Sequence, residues 1–293
     1  MKTIESLLTD AAKALFVVTR DRSQAWLEAE LLLGKILSKD RLWLLTHKNE
    51  VVLEKLATRF KALLKRRLAH EPLAYLFGEA PFYGRLFQVT RATLIPRTET
   101  EQLVDEAVHL LPKTSPKALI WDVGTGSGIL AITLSTLAPH RSVIASDISA
   151  PALTVARRNA KRFLKKTPRF IKANLLDRSV QRLMKKALPS EVLVVANLPY
   201  LPLSQKRELS PQVTKYEPLE ALFADRQGRA LNEKLIQQTA TFQKELCVPI
   251  TLLLEIDPSQ SEKLCAFAKT YFPITKILLD VHKRARFLKL SSS

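Results

Sequence analysis

Cysteine is nearly absent. Cys247 and Cys265 are the only two in 293 residues. That excludes a disulfide-built scaffold, and the pair lacks metal-ligand spacing; one bridge is conceivable, but a reduced, cytoplasmic setting is the expectation. Long apolar runs are missing too, since charges interrupt every candidate, which excludes a membrane-spanning helix. Residues 1–20 carry Glu5 and Asp10 and lack a cleavage-site pattern, so no signal peptide is read there. Carboxylates are short in number: 46 Lys and Arg against 28 Asp and Glu leave a net charge of +18. Such an excess favours acidic partners, nucleic acid among them. Yet the cations are dispersed, as in Lys65-Arg66-Arg67, Arg157-Arg158 and Lys283-Arg284, and no RNA-binding motif organises them. They are read as solvated basic faces. Glycine is scarce at seven residues, and no internal repeat or low-complexity segment is found. What remains is a hydrophobic share of 46%, that of a folded chain, and length enough for two domains.

Residues 1–78 read as a helical domain. Leu7, Ala11, Leu15 and Val18 share one face of a first helix; Ser23 is positioned to cap a second. Asp40 starts a short third, and residues 51–69 form a long fourth with Leu53, Leu56, Phe60, Leu63 and Leu64 as its apolar stripe. Trp26 and Trp43 are assigned to packing, and His47 and His70 to the surface. Residues 79–95 alternate aromatic and polar positions around Gly84, a hairpin signal, and are taken as a linker. From Pro96 a charged turn leads into a helix that Thr98 or Thr100 could cap. Strands are expected at 118–123, 142–147, 169–173, 192–197, 250–255, 274–279 and 285–290, with helices between the first five and after the fifth. A polar loop is expected at about 201–227. Alternation of this kind predicts a parallel α/β sheet, with the last two strands antiparallel because no crossover fits between them. The fold class is thus α/β: a Rossmann-like, seven-stranded domain over residues 96–293 behind an N-terminal helical bundle.

Two stretches carry chemistry. Three of the seven glycines, Gly124, Gly126 and Gly128, fall in the turn Gly124-Thr125-Gly126-Ser127-Gly128 after the first strand. Such a turn lets backbone approach a ligand and directs amides toward it. Asp147 ends the next strand, about 20 residues on, where a carboxylate accepts from ribose hydroxyls. Ile129 stands where a dinucleotide fingerprint needs a third glycine, and no Lys-Ser/Thr pair makes a phosphate loop. A cofactor without pyrophosphate fits better. S-adenosylmethionine has a ribose for Asp147 and a cationic end that Asp122 could help hold. The second stretch is Asn197-Leu198-Pro199-Tyr200, directly after the apolar strand Val192-Leu193-Val194-Val195. Ligands of open α/β sheets bind outside the carboxyl ends of strands, so an amide, a stiff turn and an aromatic ring are placed there.

Together these residues resemble the protein-(glutamine-N5) methyltransferases that modify peptide chain release factors, the PrmC/HemK family. The likeness covers nearly the whole chain. It includes Glu28-Ala29-Glu30-Leu31-Leu32-Leu33, Gly78 to Phe87, Leu94-Ile95-Pro96-Arg97-Thr98-Glu99-Thr100-Glu101, Tyr216-Glu217-Pro218, Leu254-Glu255 and the tail from Asp280 to Arg286. The family signature is Asn-Pro-Pro-Tyr, and Leu198 replaces its first proline. Leu198 still supplies the backbone carbonyl, but does not fix φ as proline does. Thr98 stands where the family often has proline. Asn174, with Leu175 beside it, stands where an acidic residue usually meets the adenine. The resemblance implies S-adenosylmethionine as cofactor, bound by Asp122, the 124–128 turn, Asp147, Asn174, Leu175 and Asn197. It implies methyl transfer to the glutamine nitrogen of a Gly-Gly-Gln motif in class I release factors. Asn197 and the Leu198 carbonyl would then accept the two N–H groups, Pro199 would stiffen the turn and Tyr200 would wall the pocket. It also implies a substrate-docking role for the helical domain; a monomer, with no membrane and no required nucleic acid, is the default expectation.

Other readings stay open at this point. Adenine-N6 methyltransferases of DNA or RNA use a similar turn, and +18 suits them. A binding module that has lost the reaction is compatible with Leu198. A nicotinamide oxidoreductase is disfavoured by Ile129.

Overall fold

Short polar side chains decide where the first helices begin. In the computed structural model, which describes residues 2–111, 115 and 117–292, Thr3 accepts from the Ser6 amide at 3.2 Å and opens α1 (Ile4–Thr19). Asp21 accepts from Gln24 N at 2.8 Å and opens α2 (Arg22–Leu37); Asp40 does the same for α3 (Arg41–Thr46) through Trp43 N at 2.8 Å. The cap expected at Ser23 is therefore wrong: the Asp21 carboxylate takes the exposed amide first. The long fourth helix also begins later than expected. Strand β1 (Lys2–Thr3) pairs antiparallel with β2 (Val51–Val52), so α4 spans Glu54–Leu68, and α5 (Leu73–Phe77) follows. Ile4, Leu7, Leu15, Leu32, Leu33 and Phe60 fill this core. Inside it Arg67 and Glu28, 2% and 4% exposed, make two charge-assisted hydrogen bonds at 2.6 and 3.1 Å. Breaking such a buried pair from one side strands the other charge. The short helix α10 (Pro211–Tyr216) groups with these helices, so that one unit is Met1–Gly78 with Ser210–Tyr216. Its Tyr216 hydroxyl donates to Ala69 O at 3.0 Å.

The second unit comprises Glu79–Leu209 and Glu217–Ser293. It opens with the hairpin β3 (Glu79–Phe82) and β4 (Arg85–Gln88), turned by Tyr83 and Gly84 at φ 47° and 72°. Two positive φ angles match the turn to the twist of its strands. The hairpin is not the linker that was expected: Phe82 and Phe87 are fully buried in this unit's core. Helix α6 (Glu99–Leu110) follows, then a seven-stranded sheet. Its strands are β5 (Leu119–Val123), β6 (Ser142–Asp147), β7 (Arg169–Lys172), β8 (Val192–Ala196), β9 (Ile250–Glu255), β10 (Ile274–Leu279) and β11 (Ala285–Ser291). The spatial order is β10-β11-β9-β8-β5-β6-β7. The five strands from β5 to β9 are parallel, while β11 runs antiparallel to both β9 and β10.

Strand alternation sorts the side chains into two layers. Ile120, Leu193, Val195 and Leu253 pack with α6, α7 (Ile129–Leu137) and α8 (Ala150–Phe163). Trp121, Val194, Ala196 and Leu252 pack with α9 (Arg178–Ala187), α11 (Ala230–Leu246) and α12 (Ser261–Lys269). The chain leaves β5 toward β6 on one side and returns to β8 on the other. That reversal opens a crevice at the carboxyl ends of β5 and β8. The stretch expected as a polar loop after Tyr200 holds three short helices instead, at Leu203–Arg207, α10 and Leu219–Ala221.

Candidate active site

A cavity of about 260 Å³ occupies that crevice, and all its lining comes from the second unit. The 124–127 turn, Asp147, Asn174, Leu175 and Asn197 to Pro199 line it. The turn is close-packed. A Cβ at Gly128, where φ is 85°, would stand 2.9 Å from Ile132 Cδ1 and 3.1 Å from Ala156 Cβ. Only glycine fits where α7 begins against α8. The amides of Gly124, Thr125 and Gly126 are not free to meet a ligand. Gly124 N and Thr125 N donate to Ser146 O at 2.8 and 2.9 Å, and Gly126 N donates to Asp147 Oδ2 at 2.8 Å. The turn is thus fastened to the end of β6, and it presents shape more than unpaired donors.

Asp147 is held by the backbone on both oxygens. Oδ1 accepts from Ser149 N and Oδ2 from Gly126 N, each at 2.8 Å. Each carboxylate oxygen has a second lone pair to offer, so the chemistry of this donor set suits a vicinal diol. Burial pushes its carboxyl above the ordinary Asp value, and the amide bonds oppose that shift.

Asp122 is elsewhere. Alternation along β5 turns it toward α7, where it is fully buried and outside the cavity lining. Its Oδ2 accepts from Thr125 Oγ1 at 2.6 Å and Ala131 N at 3.0 Å, while Oδ1 has no partner. Burial pushes its carboxyl up to about 7. Asp122 therefore braces the turn from beneath and stands behind the cavity lining. Asn174 is exposed at the cavity, with its backbone amide on Asp177 Oδ2 at 3.2 Å; Leu175 holds a left-handed φ of 53°. An Asn oxygen and an apolar side chain there suit the edge and face of a heteroaromatic ring.

On the opposite side, Asn197 Nδ2 donates to Thr100 Oγ1 at 2.9 Å, and Thr100 Oγ1 donates to Glu255 Oε2 at 2.9 Å. Thr98 sits at the start of α6 without a side-chain cap bond, and Thr100 lies inside the first turn. Thr98 thus holds the expected N-cap position and Thr100 does not. Leu198 is 4% exposed and reaches to 3.0 Å from where a Gly124 Cβ would stand, so the two halves of the cavity touch through it. Tyr200 is not among the residues that line the cavity. Its hydroxyl lies 3.4 Å from both Glu255 Oε1 and Arg286 Nη2, with the guanidinium 5.6 Å from the ring centre. Burial, then the Glu255 charge, push its phenol pKa up.

Several residues that shape this site were given no role in the sequence reading. Glu217 accepts from Ile95 N at 3.1 Å and Arg97 Nη2 at 2.7 Å, clamping the segment before α6. Gly228 leaves room for the Tyr200 carbonyl, which would be 1.9 Å from a Cβ there; Gln260 Nε2 donates to that same carbonyl at 2.6 Å. Glu255 had one usable signal: a lone carboxylate closing the apolar strand Leu252-Leu253-Leu254.

Residues 7–78 match the PrmC N-terminal domain family, and residues 100–216 match the family of the ribosomal protein L11 methyltransferase (PrmA). The chain is 33% identical over 260 residues to a release factor glutamine methyltransferase of Staphylococcus aureus, covering 89% of each. It is 34% identical over 290 residues to a bifunctional methyltransferase of Rickettsia typhi, covering 90% of this chain but about half, 53%, of that protein. Among solved structures, the hMettl16 catalytic domain in complex with MAT2A 3′UTR hairpin 1 has a TM-score of 0.52 over 85% of each chain at 12% identity, a likeness of fold.

Proposed function

This chain belongs to the release factor glutamine methyltransferase family, and from that premise we propose that it methylates the side-chain nitrogen of the glutamine in the Gly-Gly-Gln motif of class I peptide chain release factors. Its cofactor is S-adenosylmethionine, which when bound supplies an electrophilic methyl group on a sulfonium. Asp147 would hold the ribose diol, Asn174 and Leu175 the adenine, and the 124–127 turn the floor beneath them. One observation supports this reading above others: these residues and Asn197-Leu198-Pro199 line the same cavity.

A carboxamide nitrogen is a poor nucleophile because its lone pair is delocalised. The site's task is therefore to aim it. Asn197 Oδ1 and the Leu198 carbonyl accept its two N–H groups and fix the direction of the lone pair. Positioning of this kind can lower a barrier by roughly 7–11 kcal/mol in favourable cases. The amide proton is lost to water after methylation, so no side chain is assigned as base. We assign substrate docking to residues 1–78, and a monomer acting in the cytoplasm without a nucleic-acid partner. Among the described residues, no helix is long and apolar enough to cross a membrane.

The test is direct. The chain is incubated with methyl-labelled cofactor and either release factor or nucleic acid. Label in the tryptic Gly-Gly-Gln peptide is expected; label in adenine instead would replace this reading with base methylation.

A further inference from the structure

We infer that Thr100 and Glu255 are positioning residues: they form a one-way hydrogen-bond relay that selects which end of the Asn197 amide meets the substrate. This rests on the glutamine-methylation reading above.

An asparagine side chain has an oxygen and an NH₂ of nearly equal shape, so packing alone cannot choose between them. The partners must choose. Ala196 of β8 pairs with Leu254 of β9. The next residues, Asn197 just past β8 and Glu255 at the end of β9, therefore lie side by side. Thr100, in the first turn of α6 and 1% exposed, bridges them. Glu255 is 0% exposed, and Arg286 Nη2 stands 3.6 Å from its Oε1. Burial raises its carboxyl pKa, and the Arg286 charge opposes that shift.

A carboxylate paired with a guanidinium 3.6 Å away only accepts, and a threonine hydroxyl has one hydrogen. That hydrogen goes to Glu255 Oε2, 2.9 Å away. The Thr100 oxygen is then left to accept, and the Asn197 NH₂, 2.9 Å away, must donate to it. Asn197 Oδ1 is consequently the end left for the substrate N–H. Were the relay reversed, two donors would face each other and the glutamine nitrogen would lose its aim.

Glu255→Gln reverses it with almost no change of shape. Arg286 and the Tyr200 hydroxyl lie on the Oε1 side. The new carbonyl oxygen settles there and its NH₂ turns to Thr100, forcing the hydroxyl hydrogen toward Asn197. The readouts are kcat on a release factor substrate and cofactor affinity by calorimetry. Glu255→Gln is expected to lower kcat about 100-fold, and Thr100→Val about tenfold, while the cofactor Kd moves less than about threefold. Thr100→Ser, which keeps the hydroxyl, is expected to regain most of what Thr100→Val loses. A Glu255→Gln chain that no longer binds cofactor has lost its fold, and the Thr100 pair then decides. Near-native kcat in Thr100→Val, or no recovery in Thr100→Ser, overturns the relay. Absence of label in release factor with the unmodified chain overturns the underlying reading, and the relay's role with it.

Discussion

Along one side of the cavity the 124–128 turn is held by backbone: its amides bond Ser146 O and Asp147, and Gly128 lets α7 start against α8. Along the other, Asn197 is held by side chains from α6, β9 and β11, namely Thr100, Glu255 and Arg286. The first half joins the ends of two consecutive strands, 21 residues apart at Gly126 and Asp147, and needs a particular backbone more than particular side chains. The second is assembled from residues far apart in the chain, and the identity of each polar atom matters. Binding a cofactor asks for shape and one diol acceptor. Aiming a weak nucleophile asks for directed acceptors.

The comparison breaks most sharply at Asn197. Asn197→Ala is expected to reduce turnover about 10³-fold, as loss of a directed contact to the reacting group does, while cofactor affinity falls only severalfold; turnover equal to the native chain would remove Asn197 from the second half. Next comes Gly228→Ala. Its Cβ would stand 1.9 Å from Tyr200 O at a φ of 84°, and a loss of about 3 kcal/mol in stability is expected by denaturant titration. Little change would mean the turn after β8 yields easily. In the first half, Asp147→Ala should weaken cofactor binding about 50-fold by calorimetry, since a charged acceptor for two hydroxyls is lost; an unchanged Kd would mean β6 does not present its end to the ribose.

Asp122 sharpens the comparison through pH. Its carboxyl titrates at about 7 in the folded chain against an ordinary 3.8. Between those values the folded state keeps a proton that the unfolded chain has released, so stability falls as pH rises through this window. Asp122→Asn should flatten that fall in melting temperature between pH 4 and 7; an unchanged slope would place the titrating group elsewhere. The smallest effect is expected at the contact between the halves. Leu198→Pro keeps the backbone carbonyl and stiffens φ, so kcat should stay within about threefold of native or rise. An inactive variant would show that this turn follows a geometry proline cannot adopt.

Much of the fold was legible. Apolar strand runs and the helices between them placed all seven strands of the sheet, and Asp40 announced its helix by cap chemistry. Errors came where two local signals competed. Asp21 outbid Ser23, and Val51-Val52 entered a two-stranded ladder when they also read as helix. In the site, the 124–128 turn and Asp147 were readable because glycine spacing and a carboxylate at a strand end are local patterns. The direction of the Asp122 side chain was not readable, because it depends on the layer each face of β5 meets. The hairpin looked like a linker because burial of Phe82 and Phe87 is a property of what packs on them.

Sequence alone therefore determined the alternation of elements, the glycine turn, the acid that follows it and the amide-bearing turn at Asn197, since each arises from neighbours within a few residues. Tertiary structure decided which way Asp122 and Tyr200 face, that Gly228 must remain bare, and that Thr100, Glu255 and Arg286 meet at Asn197. Those outcomes depend on strand register and on the seating of α6 over β8 and β9, which no local pattern encodes.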